Sequence, residues 1–460
     1  MERVNLIPFH LDLPVYRDNT TMEPLVDALL VSSLNAGAEC IQVYDGATGT
    51  QLKSYRGLPV ARSTLCLVGK GAHIVTAQRD KPFLQAWAIH HHEALQIRLV
   101  VPGRVDAMAV NSTGPKYCII GIKEKLYVYK LLSGRLIGVS TRHYQPITQL
   151  IFTPCGNYFA SGGEDGFVYL WSLASFIEAL HKHDAPQVQP HFILGQHSDK
   201  VTGLAMPLSG MKGFLVSSSL DHTARLFDLL TGRSMYNLVT ASDVTTVACN
   251  SLGSQIFLGH SDGTVNVVNL LPAPPHGDVQ VSSKGVECHP KPVRCLAVTA
   301  SGNRIVSGGD DGEVKVWSVI NKAAGFIGNT KAHDPHLALQ RVVHNGRGPI
   351  TNLSLLHIHR EALTATEVDS KEIIAPFSQD HSSPLDAPII VPIRGRGKEH
   401  HQQFDLFNFS SGLSALQNTG GEGMSELSND HQSSINQLQA ANTQLFKFAL
   451  KHIIDEERDF

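Results

Sequence analysis

The sequence predicts an all-β fold, a seven-bladed β-propeller, followed by a C-terminal α-helix. Three observations predict it: a short β-rich run that recurs along the chain, Asp-Gly turns at matching places in the repeat, and a helical apolar pattern beyond the last repeat. The runs are CIQVYD with Tyr44, LQAWAI with Trp87, KLYVYK with Tyr129, FVYLWS with Trp171, ARLFDL with Phe227, VNVVNL with Val268 and VKVWSV with Trp317. Those seven residues stand 43, 42, 42, 56, 41 and 49 positions apart, which is a blade-sized period with two insertions.

Each unit is built from short runs of β-branched, aromatic and aliphatic residues bounded by Gly, Asp, Asn and Ser, as four antiparallel strands require. GEDG at Gly163 to Gly166, HSDG at His260 to Gly263 and GDDG at Gly309 to Gly312 place Asp-Gly between two strands, where a tight hairpin needs positive φ. ATGT near Gly49, LSGR near Gly134 and LTGR near Gly232 turn the third strand of a unit into its outermost one. Ahead of Tyr44, DALLVSSLNAG reads as a second strand with no clear first strand before it. GRGPITNLSLLHI, Gly346 to Ile358, has the character of a first strand, so strand 350–357 is expected to complete the first blade and close the ring.

The units with the fullest pattern carry a His, a Ser, an Asp and a Trp at fixed offsets: His143, Ser161, Asp165 and Trp171 in the fourth, and His289, Ser307, Asp311 and Trp317 in the seventh. The fifth keeps His197, Ser217 and Asp221 but has Phe227 in the Trp place, so its last hydrogen bond is expected to be missing; the other units are degenerate. On these residues the chain resembles the WD40-repeat family from Leu25 to His357. The resemblance implies that the four residues form a buried hydrogen-bonded tetrad, and polar groups that are costly to bury alone come as a set. The organisation expected is an N-terminal segment 1–24, a propeller 25–358, a polar linker 359–429 and a helix 430–460.

Two insertions interrupt the repeat. LASFIEALHKHDAPQVQPHF after Ser172 has a short helical pattern at Phe176, Ile177 and Leu180, and is expected to project from the rim as a partner-binding or a tolerated surface loop. PAPPHGDVQVSSKG, Pro272 to Gly285, reads as flexible. In the linker, Arg394, Arg396 and Lys398 offer cations for phosphate contact, although a solvated loop is the better reading of them. In the tail, Ile435, Leu438, Asn442, Leu445, Ala449 and His452 step by three and four, with Phe448 among the residues that widen the apolar face. That spacing suits a coiled-coil homodimer with Asn442 fixing register, or a helix folded back onto a blade.

Composition narrows the function. The chain has 460 residues and a formal net charge of −3, giving no global attraction to nucleic acid or membrane. Seven cysteines without a CxxC pair suit a reducing compartment. Neither a signal peptide nor a membrane span is evident, so a soluble intracellular protein is expected. No phosphate loop, HExxH or GxSxG is present, the HHH of His90 to His92 lacks the closed geometry of a metal site, and the Asp residues recur at equivalent turns. The expectation is a protein that is not an enzyme, with no cofactor and no metal.

The ring beginning near the N-terminus, LVSSSLDHTARLFDLLTGR at Leu215 to Arg233, the closing GPITNLSLL and the C-terminal helix together resemble the WD repeat-containing protein eighteen family, most specifically at Leu215 to Arg233 and Gly346 to Leu356. The resemblance implies a scaffold subunit of a nuclear complex that removes the internal transcribed spacer of pre-rRNA and matures pre-60S particles. It implies two helical-repeat partner subunits, recruitment of the AAA-type ATPase midasin, a homodimer through the tail, and residence in the nucleolus and nucleoplasm, with the cytoplasm as a second location. A substrate receptor of a ubiquitin ligase, or a trafficking adaptor, is the competing expectation; WDxR-type strand ends that such a receptor needs are absent, and only FDLL comes near.

Overall fold

The computed structural model describes residues 25–359 and Leu363, apart from the segments 35–38, 70, 96–98, 112–115, 181–187, 209–212, 271–276, 282–284, 321–335 and 346–347. Seven antiparallel sheets follow one another along the chain, six with four strands and one with a fifth. From inner to outer edge, the fourth blade runs Ile147–Phe152, Tyr158–Gly163, Phe167–Ser172 and Phe192–Gln196, and the seventh runs Val293–Val298, Arg304–Gly309, Glu313–Ile320 and His336–Asn345.

The first blade differs, because its inner strand comes from the far end of the ring. Ile350–His359 pairs antiparallel with Leu25–Ser33, in a register that sets Leu30 opposite Ser354 and Val31 opposite Leu353. Glu39–Asp45 and Gln51–Arg56 complete that sheet. The remaining inner strands are Cys66–Val68, Ala107–Val110, Val201–Ala205 and Val244–Cys249 for blades two, three, five and six.

Alternation along the strands puts apolar side chains on both faces of each sheet, so every blade needs a neighbour on each side. Seven apolar clusters meet that need. Val75 and Ala86 of blade two pack with Ile120 and Tyr129 of blade three, and Ile119 and Val128 of blade three with Phe159 and Trp171 of blade four. The series ends where Leu29, Val31 and Ile350 of blade one meet Val306, Val314 and Val316 of blade seven. With that last seam filled, the sheet stack has no open face, which is how a propeller avoids an aggregation-prone end.

The two insertions depart from their sequence reading. The helix Leu173–Leu180 starts directly after the third strand of blade four and docks instead of projecting: Phe176 is fully buried, its ring 5.8 Å from Trp171 and 5.7 Å from Phe159. Within Pro272 to Gly285, Gly277–Gln280 forms a fifth strand, parallel to Ser234–Val239 on the edge of blade five. Val279 and Val281 pack on the cluster shared by blades five and six, and the Asn237 amide donates to Asp278 at 2.9 Å. Beyond the ring, Leu363 is buried among residues of blades one and two, and its carbonyl accepts from the buried Lys53 ammonium at 2.6 Å. Residues 1–24 and 364–460, which hold Arg394, Arg396, Lys398 and the tail residues Ile435, Leu438, Asn442, Leu445, Phe448, Ala449 and His452, lie outside the described residues.

Candidate functional site

Every blade sends two kinds of loop to one end of the ring: the hairpin between its second and third strands, and the connection into its inner strand from the blade before. The polar residues singled out in the sequence sit in these loops or just beneath them. In blade four, Asp165 can only accept, so His143 Nδ1–H donates to it at 3.0 Å. His143 Nε2 lies 2.7 Å from the Ser161 hydroxyl, and the Trp171 indole N–H donates to the same oxygen at 2.9 Å. Blade seven repeats this with His289 to Asp311 at 2.8 Å, His289 to Ser307 at 2.8 Å and Trp317 to Ser307 at 2.9 Å. In blade five His197 bonds Asp221 at 3.0 Å and Ser217 at 2.7 Å, while the buried Phe227 ring brings no donor to Ser217.

Burial raises the pKa of Asp165, but the N–H of His143 and the backbone N–H groups of Tyr144 and Phe167 more than offset it and hold the carboxyl below the usual range. Asp221 is depressed further against the same burial by His197, Thr223 and Ser198. Burial lowers His289 in spite of its bond to Asp311. The order Asp–His–Ser is that of a hydrolase triad. Here Ser161, Ser217 and Ser307 are all 0% exposed, so these oxygens brace the blade and meet no substrate. His289, Asp311 and Glu313 also have the spacing of a metal cluster, yet Asp311 already receives the imidazole and Glu313 lies 2.7 Å from the Lys315 ammonium. The run His90 to His92 does not converge on a point: His92 faces the Ser54 carbonyl at 2.9 Å, while the His90 and His91 rings lie tilted against each other at 4.6 Å.

The tetrad histidines also join blades. Gly166, at φ 74°, turns the hairpin of blade four so closely against the His197 carbonyl that a Cβ there would collide with it, and His197 N–H donates back to the Gly166 carbonyl at 2.8 Å. The His197 side chain enters blade five, so one residue fastens two sheets.

Sequence reasoning missed the loop Ala61 to Leu65, between blades one and two, which reaches across the channel mouth. Asn352 of the closing strand donates to the Ala61 carbonyl at 2.7 Å and accepts from Thr64 N–H at 3.0 Å. Ser63, held at φ 54°, accepts from Met108 N–H of blade three through its carbonyl and from the Gln149 amide of blade four through its hydroxyl, at 3.1 and 2.9 Å. Arg62 lies 3.7 Å from Asp310 of blade seven, which also takes Arg294 at 2.6 Å. A non-glycine left-handed residue at Ser63 costs backbone energy that these five contacts offset. The ARSTL stretch carries no repeat feature, so nothing in the sequence marks it.

Beside this loop a cavity of about 330 Å³ opens where blades one to three meet, lined by Leu34, Val60, Ala61, Val105 and Thr351 with Arg62, Arg79, Arg104 and Asp106. Round the same end of the ring, the loops of blades five and six carry Asp199, Asp221, Asp243 and Asp262, so the two sides differ in charge.

Seven blades, seam-spanning cores and buried His-Ser-Asp-Trp sets define a WD40-repeat propeller. The family described as "WD domain, G-beta repeat" matches residues 134–172, 188–228 and 280–318, which are the blades that carry the tetrads. Homologues of this chain include proteins named WD repeat-containing protein 18. The one from Danio rerio is 28% identical over 319 residues, covering 68% of this chain and 69% of that protein. The one from Rattus norvegicus is 30% identical over 286 residues, covering 61% of this chain and 65% of that protein. The chain is also similar to the pre-rRNA-processing protein pro-1 of Caenorhabditis elegans, 24% identical over 310 residues, with 65% of this chain and 58% of that protein aligned. The alignments thus span about two thirds of the length of the relatives from fish and rat, and less of the one from the worm.

Proposed function

We propose that this chain is a non-enzymatic scaffold subunit of a nuclear assembly that processes the internal transcribed spacer of pre-rRNA and matures the large ribosomal subunit. The observation that carries this reading is the similarity, over most of the ring, to relatives one of which bears the name pre-rRNA-processing protein. The chemistry of the ring agrees with it, because the recurrent His, Ser and Asp side chains are consumed in bracing the blades and leave the loop faces for partners. In this reading the propeller holds two helical-repeat subunits on the pre-60S particle and recruits midasin. The helix 430–460 pairs two copies, and the complex resides in the nucleolus and nucleoplasm. Depletion of the protein from its native cells tests the proposal: precursors that retain the internal spacer accumulate and mature large-subunit rRNA falls, and re-expression of the chain reverses both. Unchanged precursor levels after depletion overturn it.

A further inference from the structure

We infer that the cavity at the junction of blades one to three is a binding subsite for an acidic peptide segment of a partner protein, read by Arg62, Arg79 and Arg104. Three arginines line one recess although they come from three separate loops. Arg62 and Arg79 are about half exposed and only loosely paired, at 3.7 Å to Asp310 and 3.9 Å to Asp80, and Arg104 has no ion-pair partner among the described residues. Weakly paired arginines brought to one concave surface repel one another until an oxyanion joins them, and their planar donor forks fit a carboxylate.

The rest of the recess sets the ligand class. Leu34, Val60, Ala61 and Val105 give it an apolar floor that suits the methylene groups of a peptide side chain and offers nothing to a phosphate backbone. Asp106, the one carboxylate in the lining, has Oδ2 engaged by the Lys123 backbone N–H at 2.8 Å. The Thr351 hydroxyl is held by Ser32 at 2.8 Å. A nucleic acid crossing this end of the ring would also meet Asp199, Asp243 and Asp262, whose charge opposes a continuous polyanion. A peptide with its acidic residues confined to a few positions meets the arginines without reaching those aspartates. The mouth loop supplies Arg62 and is pinned by four other blades, so the subsite is preorganised. The inference concerns the ligand chemistry of this face and stands apart from the pre-rRNA reading.

The test titrates the full chain, at low salt, with a fluorescein-labelled eight-residue peptide of alternating Gly and Glu, and in parallel with a labelled eight-nucleotide single-stranded RNA. The variants are Arg62→Glu/Arg79→Glu/Arg104→Glu and, on the opposite end of the ring, the charge-matched Lys130→Glu/Arg233→Glu/Arg304→Glu. The wild-type chain binds the peptide more tightly than the RNA. The first triple variant weakens peptide binding about tenfold, whereas the second leaves it within about twofold. Arg79→Glu/Arg104→Glu, which keeps the Arg62–Asp310 contact, gives an intermediate loss and serves if the triple does not fold. Equal losses in both triples, no loss in either, or tighter binding of the RNA with dependence on the same arginines overturns the inference.

Discussion

Blade seven and blade one solve the same problem by different means. In blade seven the buried polar groups are satisfied inside one repeat, by residues that stand between His289 and Trp317. In blade one they are satisfied between the two ends of the ring: Ser32 meets Thr351 at 2.8 Å, and the Asn352 amide donates to Ser32 at 3.0 Å before reaching the mouth loop. Local bracing makes a blade self-sufficient. Bracing through the chain ends instead couples ring closure to the loop at the channel mouth, so the degenerate blade is the one on which the candidate binding face depends.

The largest way to break the comparison is to remove the closing strand. A chain ending at Pro349 leaves Leu29, Leu30 and Val31, each at most 2% exposed in the closed ring, without their inner partner. Urea unfolding of that chain is expected to lose its single cooperative transition, and a wild-type midpoint would refute the coupling. Next come the polar hubs. Ser307→Ala orphans the Trp317 indole N–H and the His289 ring nitrogen, and is expected to cost about 2–3 kcal/mol in global stability by chemical denaturation. Asn352→Ala is expected to cost about 1–3 kcal/mol and, unlike Ser307→Ala, to speed amide exchange at Thr64 and Leu65 while blade seven stays protected.

The pH response sharpens the same contrast. Asp165 and Asp221 have folded-state pKa values below the ordinary 3.8, so the unfolded chain takes up protons first as pH falls. Their contribution is full above about pH 4 and is lost below it. His289 is also depressed, below its ordinary 6.5, so its contribution is full above that value and begins to be lost as pH drops through it. Melting temperature should therefore fall in two acid steps, and His289→Gln should shrink the upper one, to which the buried His260 and His344, lowered in the same way, also contribute. The smallest effect belongs to Trp317→Phe, about 1 kcal/mol, because it recreates the Phe227 arrangement that blade five already tolerates.

Much of the ring could be read from the sequence because a blade repeats its local chemistry. Asp-Gly at a hairpin and Ser on the strand before a Trp reappear at fixed offsets, and Gly166 and Gly312 adopt φ of 74° and 87° as the turns require. What could not be read is what happens once. Phe176 turns an expected projecting loop into a docked helix because Trp171 and Phe159 lie beside it in space, not in the local pattern. The fifth strand at Gly277–Gln280 needs the edge of blade five, and the mouth loop needs Met108, Gln149, Asp310 and Asn352 from four different blades. The arginine-lined cavity is a product of that meeting, so no window of the sequence contains it.

We read this closed ring as a platform in pre-rRNA processing. The most direct measurement of that role is affinity capture of the tagged full chain from nuclear extract of its native cells, in parallel with a chain lacking 430–460, read out by protein mass spectrometry and by probing for rRNA precursors. Recovery of helical-repeat subunits and large-subunit precursor rRNA is expected with the full chain, and loss of self-association with the shortened one. Recovery of a ubiquitin ligase or of coat components, without rRNA precursors, would contradict that role.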